Sequence, residues 1–189
     1  GRGTRILEYV GNSHKTYEGE MVFGLKSDTE DLQGLLEEQP YDQGLLKEAL
    51  ISRVFEELHG TTLSQLPPMY SSVKVQGKKL YEYARAGQIA ERQSRPVELF
   101  SLRPHFPVYQ KEGRTCLKFT AKVSKGTYIR TLCVEIGERL GVPAVMGDLV
   151  RTEVGSFTLQ DAYTLEQLAQ RMEGKDIGFL RTLRSGISG

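Results

Sequence analysis

The residues best placed to do chemistry lie in the run Ser124-Lys125-Gly126-Thr127-Tyr128-Ile129-Arg130, two cations and an aromatic where a strand gives way to a helix. The strand is predicted from Leu117, Phe119, Ala121 and Val123, which alternate with polar residues at a period of two. The helix is predicted from Ile129, Leu132, Cys133, Ile136 and Leu140, with Gly141 as its stop. Lys125 and Arg130 then sit at the positive end of a helix dipole, where a cation costs roughly 0.3–1 kcal/mol. A carboxylate or a phosphate would compensate, because the free N–H groups there also favour negative charge. The plainer alternative is a capped turn with a solvated arginine.

Tyrosines recur beside cations, in Lys15-Thr16-Tyr17, in Lys78-Lys79-Leu80-Tyr81-Glu82-Tyr83 and in the run above. Aromatic faces interleaved with cations suit an unstacked base, with stacking contributing roughly 1–3 kcal/mol per base. Extruding a nucleotide costs only a few kcal/mol, least where it is already unpaired. The alternative is that these rings simply cover sheet edges. Other chemistry loses support: His14, His59 and His105 are far apart, Cys116 and Cys133 are not at ligand spacing, and no HExxH or CxxC occurs. Walker-type and dinucleotide glycine loops are missing, as is a Gly-x-Ser-x-Gly elbow.

The elements that must position these residues can be read in order. Residues 17–25 alternate as a half-buried strand with Tyr17 at its start. Leu45, Leu46, Ala49, Leu50, Val54, Phe55 and Leu58 predict one amphipathic helix from Gln43 to His59, closed by Gly60. Leu66-Pro67-Pro68-Met69-Tyr70-Ser71-Ser72 reads as an extended loop, since paired prolines forbid helix. A short helix is expected over Lys78–Arg85, and a strand pair over 97–105 and 117–124, joined through Pro107 and a turn near Gly113. Thr164-Leu165-Glu166-Gln167 has the capping-box pattern of a last helix. Strands and helices without strict alternation predict an α+β fold, a mixed and largely antiparallel sheet with flanking helices.

Bulk properties narrow the class. A chain of 189 residues can hide roughly 70% of its unfolded surface, enough for a core without staples. No apolar run approaches a membrane span, no signal-peptide stretch opens the chain, and two cysteines make no disulfide framework, so a reducing cytoplasmic home is expected. The formal charge of +1 conceals an uneven distribution. Residues 28–57 are acidic, whereas residues 74–95 hold Lys74, Lys78, Lys79, Arg85, Arg92 and Arg95 against Glu82 and Glu91. A polyanion could be met on that one face, although a solvated surface has the same composition.

Lys15-Thr16-Tyr17 is followed by Gly24-Leu25-Lys26-Ser27-Asp28-Thr29-Glu30-Asp31, and together they resemble the second block of the bacterial tRNA pseudouridine synthase B family. Residues Pro67 to Arg85 resemble its RNA-binding thumb, Ser124 to Arg130 its third motif, and Leu149-Val150-Arg151-Thr152 its later active-site block. Gly1-Arg2-Gly3-Thr4-Arg5 resembles the segment just after the catalytic loop. The blocks stand in family order over nearly the whole chain.

The resemblance implies a pseudouridine synthase fold that isomerises the T-loop uridine of tRNA, uridine-55 by family, with neither metal nor cofactor. It implies catalytic roles for Tyr17, which would stack on the flipped base, and for Arg130, which would pair with a nucleophilic aspartate. Lys15, Tyr128 and Leu149 would line or adjoin the uridine pocket, while Lys74, Lys78, Lys79 and Arg85 would meet the RNA backbone. The partner implied is the tRNA T-arm, with no membrane and no obligate protein partner, and a monomer is expected. One departure is large: no Gly-Thr-Leu-Asp-Pro type motif, the family's nucleophile site, occurs in these residues. The sequence therefore predicts a catalytic-domain core over 1–189, with a thumb over 67–95, lacking the N-terminal catalytic loop and the C-terminal small domain. Such a core would bind T-arm RNA without converting it, and Arg130 would need a substitute anion. A noncatalytic tRNA-binding or folding module is the alternative, and a guide-RNA-dependent relative fits less well.

Overall fold

The computed structural model describes residues 11–175 and Gly178, so the Gly1–Arg5 block lies outside the described residues. Strand β1 (Lys15–Phe23) leads through Gly24, held at φ 80°, into β2 (Leu25–Ser27) and β3 (Leu36–Glu38). Helix α1 covers Glu48–Leu58 and β4 covers Thr61–Gln65. A small hairpin, β5 (Lys74–Val75) with β6 (Lys78–Lys79), runs into helix α2 (Leu80–Arg85). Then come β7 (Arg95–Lys111), β8 (Arg114–Val123), α3 (Ile129–Leu140), β9 (Ala144–Val154), β10 (Phe157–Thr158) and α4 (Leu165–Glu173).

Six strands form one sheet in the order β10-β9-β1-β8-β7-β4, every pairing antiparallel. The sheet expected to be largely antiparallel is thus antiparallel throughout among the described residues, where the single parallel contact is an isolated bridge between Asp31 and Met146. Helices α1 and α3 cover one face. Ile51, Val54, Phe55 and Leu58 of α1 and Ile129, Leu132, Cys133 and Ile136 of α3 meet Met21, Leu117, Phe119, Ala121 and Val123 from the central strands. Phe55 and Phe119 meet edge to face, their centroids 6.4 Å apart. Burying such side chains stabilises the domain by about 1.5–3 kcal/mol each, which is why the period-two pattern of β8 survives intact.

Three boundaries differ from the sequence reading, each for a local reason. The helix expected from Gln43 to His59 is two pieces: Asp42 accepts a hydrogen bond from Gly44 N at 2.8 Å and closes a 3₁₀ turn over Gln43–Leu46, then Lys47 is extended and α1 starts afresh. The expected helix at Lys78 starts at Leu80, because Gln76 and Gly77 both take positive φ and turn a tight hairpin that claims Lys78 and Lys79. Pro107 lies inside β7 rather than in a connection, where the ladder to β8 breaks its register between His105 and Tyr109. Strand β4, which the sequence reading left out, pairs with β7 from Thr61↔Leu99 to Gln65↔Arg95. Its last pair marks where residues 66–94 leave the sheet and return to it. No described helix is long and apolar enough to cross a membrane.

Candidate active site

The first turn of α3 carries the charge problem posed by the sequence, and the fold answers it in trans. Tyr128 occupies the N-cap in an extended conformation and its own side chain caps nothing. Gln65, buried at the end of β4, supplies the missing partner: its Oε1 accepts from Tyr128 N at 3.0 Å and its Nε2 donates to Tyr128 O at 3.3 Å. Two residues on, Arg130 Nη1 donates to Asp31 Oδ2 at 3.1 Å and to Thr29 O at 2.9 Å, and Nη2 donates to Tyr70 O at 2.8 Å. The anion is therefore Asp31, with the two side chains 14% and 19% exposed, too sheltered for a loosely solvated surface pair. Asp31 is fixed in turn by Thr29 Oγ1 at 2.6 Å and Gln33 N at 3.0 Å.

Glu30 brings a second carboxylate to the same turn, accepting from Thr131 Oγ1 at 2.6 Å. Burial pushes its carboxyl above the usual range, against the pull of Thr131, Arg130 and Arg92. Arg130 has five N–H donors. Three are engaged among the described residues, which leaves two for a further carboxylate or a substrate oxygen.

The neighbouring sheet face holds the other expected residues. Gly19 pairs with Leu149 and Tyr17 with Arg151, so Tyr17 and Leu149 are diagonal neighbours on one face. Between them Gly19 has no side chain, and the Phe119 ring fills that space: a Cβ on Gly19 would lie 2.5 Å from Phe119 Cζ. Leu149 remains 37% exposed while Tyr17 packs partly on the core. Lys15 turns back on the preceding segment, donating to Gly11 O and Ser13 O at 3.1 Å each. Its ammonium is held below the usual lysine range by burial and by the Arg151 and Lys125 charges. Lys125 in turn donates to Asn12 Oδ1 at 2.6 Å.

The expected RNA-facing cations gather on the 66–94 excursion. Lys74 pairs across the hairpin with Lys79, Lys79 and Arg85 lie 5.4 and 5.2 Å from the Tyr81 ring, and Lys78 lies 6.0 Å from Tyr83. Among the described residues none of these four side chains forms an ion pair with a carboxylate, and Lys78, Lys79 and Arg85 rest on ring faces. At the root, Arg92 Nη1 donates to Pro67 O at 3.0 Å. Sequence reasoning missed Gln65, Thr131 and the Asp31 partnership. The signal for Asp31 was present in the acidic run Asp28–Asp31, but only the fold brings that loop to the start of α3.

Comparison with known proteins identifies the family of the chain. The family model described as TruB family pseudouridylate synthase (N terminal domain) matches residues 1–129, and that described as tRNA pseudouridylate synthase B C-terminal domain matches residues 130–185. The tRNA pseudouridine synthase B of Streptococcus sanguinis is 43% identical over 99% of this chain and 64% of its own length. That of Halalkalibacterium halodurans is 44% identical over 99% of this chain and 62% of its own length. The chain thus spans less than two thirds of these relatives. The structure titled "Crystal Structure of a Cbf5-Nop10-Gar1 Complex" shares the fold, with a TM-score of 0.61 at 24% identity, over 98% of this chain and 43% of that one. With both family models together covering residues 1–185, the chain belongs to the TruB family of pseudouridylate synthases.

Proposed function

We propose that this chain is the base-handling core of a tRNA pseudouridine synthase acting on the T-loop uridine, uridine-55 by family. The observation that carries the reading is Arg130, immobilised by Asp31, Thr29 and Tyr70 with three of its five N–H donors, the other two unengaged among the described residues. The uridine is flipped onto the face bearing Tyr17 and Leu149, with Tyr128 at the pocket edge. A nucleophilic aspartate other than Asp31, supplied from outside these 189 residues and paired with Arg130, opens the N1–C1′ bond; the base turns, a C5–C1′ bond forms as the aspartate is released, C5 loses its proton and N1 gains one. Atoms and electrons balance within the nucleotide, so the isomerisation calls for no redox partner. Tyr17 stacks on the base and is a candidate for handling the C5 proton. Lys15 lies beside the pocket, and Lys74, Lys78, Lys79 and Arg85 hold T-arm phosphates. The working form is a cytoplasmic monomer.

Because no Gly-Thr-Leu-Asp-Pro type motif occurs in the 189 residues, the chain by itself is expected to bind T-arm RNA and leave its uridine unchanged. In a chimaera, fusing a segment with the family's Gly-Thr-Leu-Asp-Pro type motif ahead of Gly1 is expected to confer turnover, read as carbodiimide-reactive pseudouridine on a T-arm transcript. Turnover by the 189-residue chain alone would sink the claim that the nucleophile lies outside it, and an inactive but folded chimaera would sink the isomerase reading. The missing motif also favours a second reading, a tRNA-binding module without catalysis. In that case Arg130→Ala would alter nothing measurable on RNA.

A further inference from the structure

We infer that Glu30 is a positioning residue for Arg130, acting through a clasp to Thr131, an inference that rests on the function proposed above. Three consecutive residues of one loop are stitched to two consecutive residues of α3: Thr29 O to Arg130 at 2.9 Å, Glu30 Oε2 to Thr131 at 2.6 Å, and Asp31 Oδ2 to Arg130 at 3.1 Å. The alternation works because Glu30 takes φ 65°, a left-handed conformation that a residue with a long side chain seldom adopts. Such a conformation persists only where its surroundings over-determine it. Here they do: Glu30 N donates to Ser27 O at 3.2 Å, Met146 N donates to Glu30 O at 3.0 Å, and Leu32 N donates to Met146 O at 3.2 Å.

The loop is thereby fixed to β9 three residues before Leu149 and to α3 at Arg130 and Thr131, and Glu30 takes part in both attachments, through its carbonyl to Met146 and its carboxylate to Thr131. Its carboxylate also sits at the first turn of α3, where an anion is favoured and where Arg130 by itself is not. Removing the Glu30–Thr131 bond takes away one of the ties that hold the loop against α3, loosening the seat of Arg130 while Asp31 and Arg130 remain chemically intact. The clasp thus sets geometry and touches no reacting atom.

A purely structural role and a positioning role diverge at Glu30→Gly. Glycine accepts the left-handed backbone without strain, so stability is expected to hold or rise while the clasp is lost. In the chimaera, Glu30→Gly and Thr131→Val are expected to lower kcat about tenfold, the loss of one well-made contact, with KM for the T-arm transcript within about twofold. Thr131→Ser, which keeps the hydroxyl, is expected to restore it. In the 189-residue chain, the Arg130 Nε–H signal in a 15N spectrum is expected to be sharp and to broaden in Thr131→Val while backbone amides elsewhere stay put. Unchanged kcat together with an unchanged Arg130 signal in both variants would overturn the clasp. Full activity of Arg130→Ala would instead overturn the proposed function, and the Arg130 signal would still decide the clasp.

Discussion

The root of the 66–94 excursion and its tip both carry charged side chains, but hold them in opposite ways. At the root, Gln65, Arg130, Asp31 and Glu30 are buried or half-buried, and their polar atoms are committed to specific backbone and side-chain partners. At the tip, Lys78, Lys79 and Arg85 rest on tyrosine rings at 5.2–6.0 Å, a contact worth roughly 0.5–1 kcal/mol at an exposed site. Buried polar networks fix one geometry because each broken bond strands a desolvated group. Exposed cations on flexible stems can follow a phosphate backbone without a defined geometry. Under the proposed function, the difference suits a division in which the root would specify the base and the tip would supply affinity.

The sharpest way to break that division is Arg130→Ala in the chimaera. Loss of a preorganised donor set is expected to cut kcat by about 10²–10³-fold, with T-arm affinity held within a few-fold, by single-turnover assay and filter binding. A comparable loss of affinity would show that the root binds RNA in bulk and that the comparison is drawn in the wrong place. Gln65→Leu tests the root without touching its charges. Leu132 N also donates to Tyr128 O, at 3.0 Å, so the carbonyl keeps one partner, whereas the N–H of Tyr128 keeps none among the described residues. One stranded buried donor costs about 1–3 kcal/mol, expected as a lower urea midpoint of unfolding at an unchanged slope.

The tip responds to salt instead. Lys74→Ala, Lys78→Ala and Arg85→Ala are each expected to lower the slope of log affinity against log salt by about 0.7–0.9 on T-arm RNA. Asp31→Asn is expected to leave that slope alone. Equal slopes for all four variants would erase the distinction between root and tip.

The two regions also differ in how far the sequence disclosed them. The tip was legible as composition, since cations beside tyrosines in one short stretch need no tertiary information. Strand β8 and helix α3 were legible because Leu117–Val123 and Ile129–Leu140 keep the periods of two and 3.6 that burial imposes. The anion required at the start of α3 could be argued from the helix dipole, but its identity could not. Asp31 arrives from 99 positions away in the chain, through a left-handed turn at Glu30 that no local propensity favours. Gln65 was hidden differently: one polar residue ending a short strand carries no pattern, and its meaning rests entirely on Tyr128, 63 positions on. Helix α1 was over-extended because Leu45 and Leu46 do pack on the core, but from a 3₁₀ turn rather than from the helix itself.

The smallest expected effect sharpens the root alone, through the protonation of Glu30. Burial raises its folded carboxyl pKa above the ordinary 4.5, and it outweighs the opposing pull of Thr131, Arg130 and Arg92, with Asp31 adding to the rise. Between the unfolded and folded values the native state binds more protons than the unfolded one, so stability falls as pH rises through that window. Below 4.5 both states are protonated and the contribution is flat; above the folded pKa both are ionised and it is flat again. A single proton limits the slope to about 1.4 kcal/mol per pH unit. Glu30→Gln keeps an acceptor for Thr131 and has no proton to release, so its stability relative to wild type is expected to improve with pH only inside the window just above 4.5. Urea unfolding of both chains at half-unit pH steps reads this directly. A wild-type advantage that grows with pH there would mean that the Arg130 and Arg92 charges outweigh desolvation, and that Glu30 is held by charge rather than by its hydrogen bond.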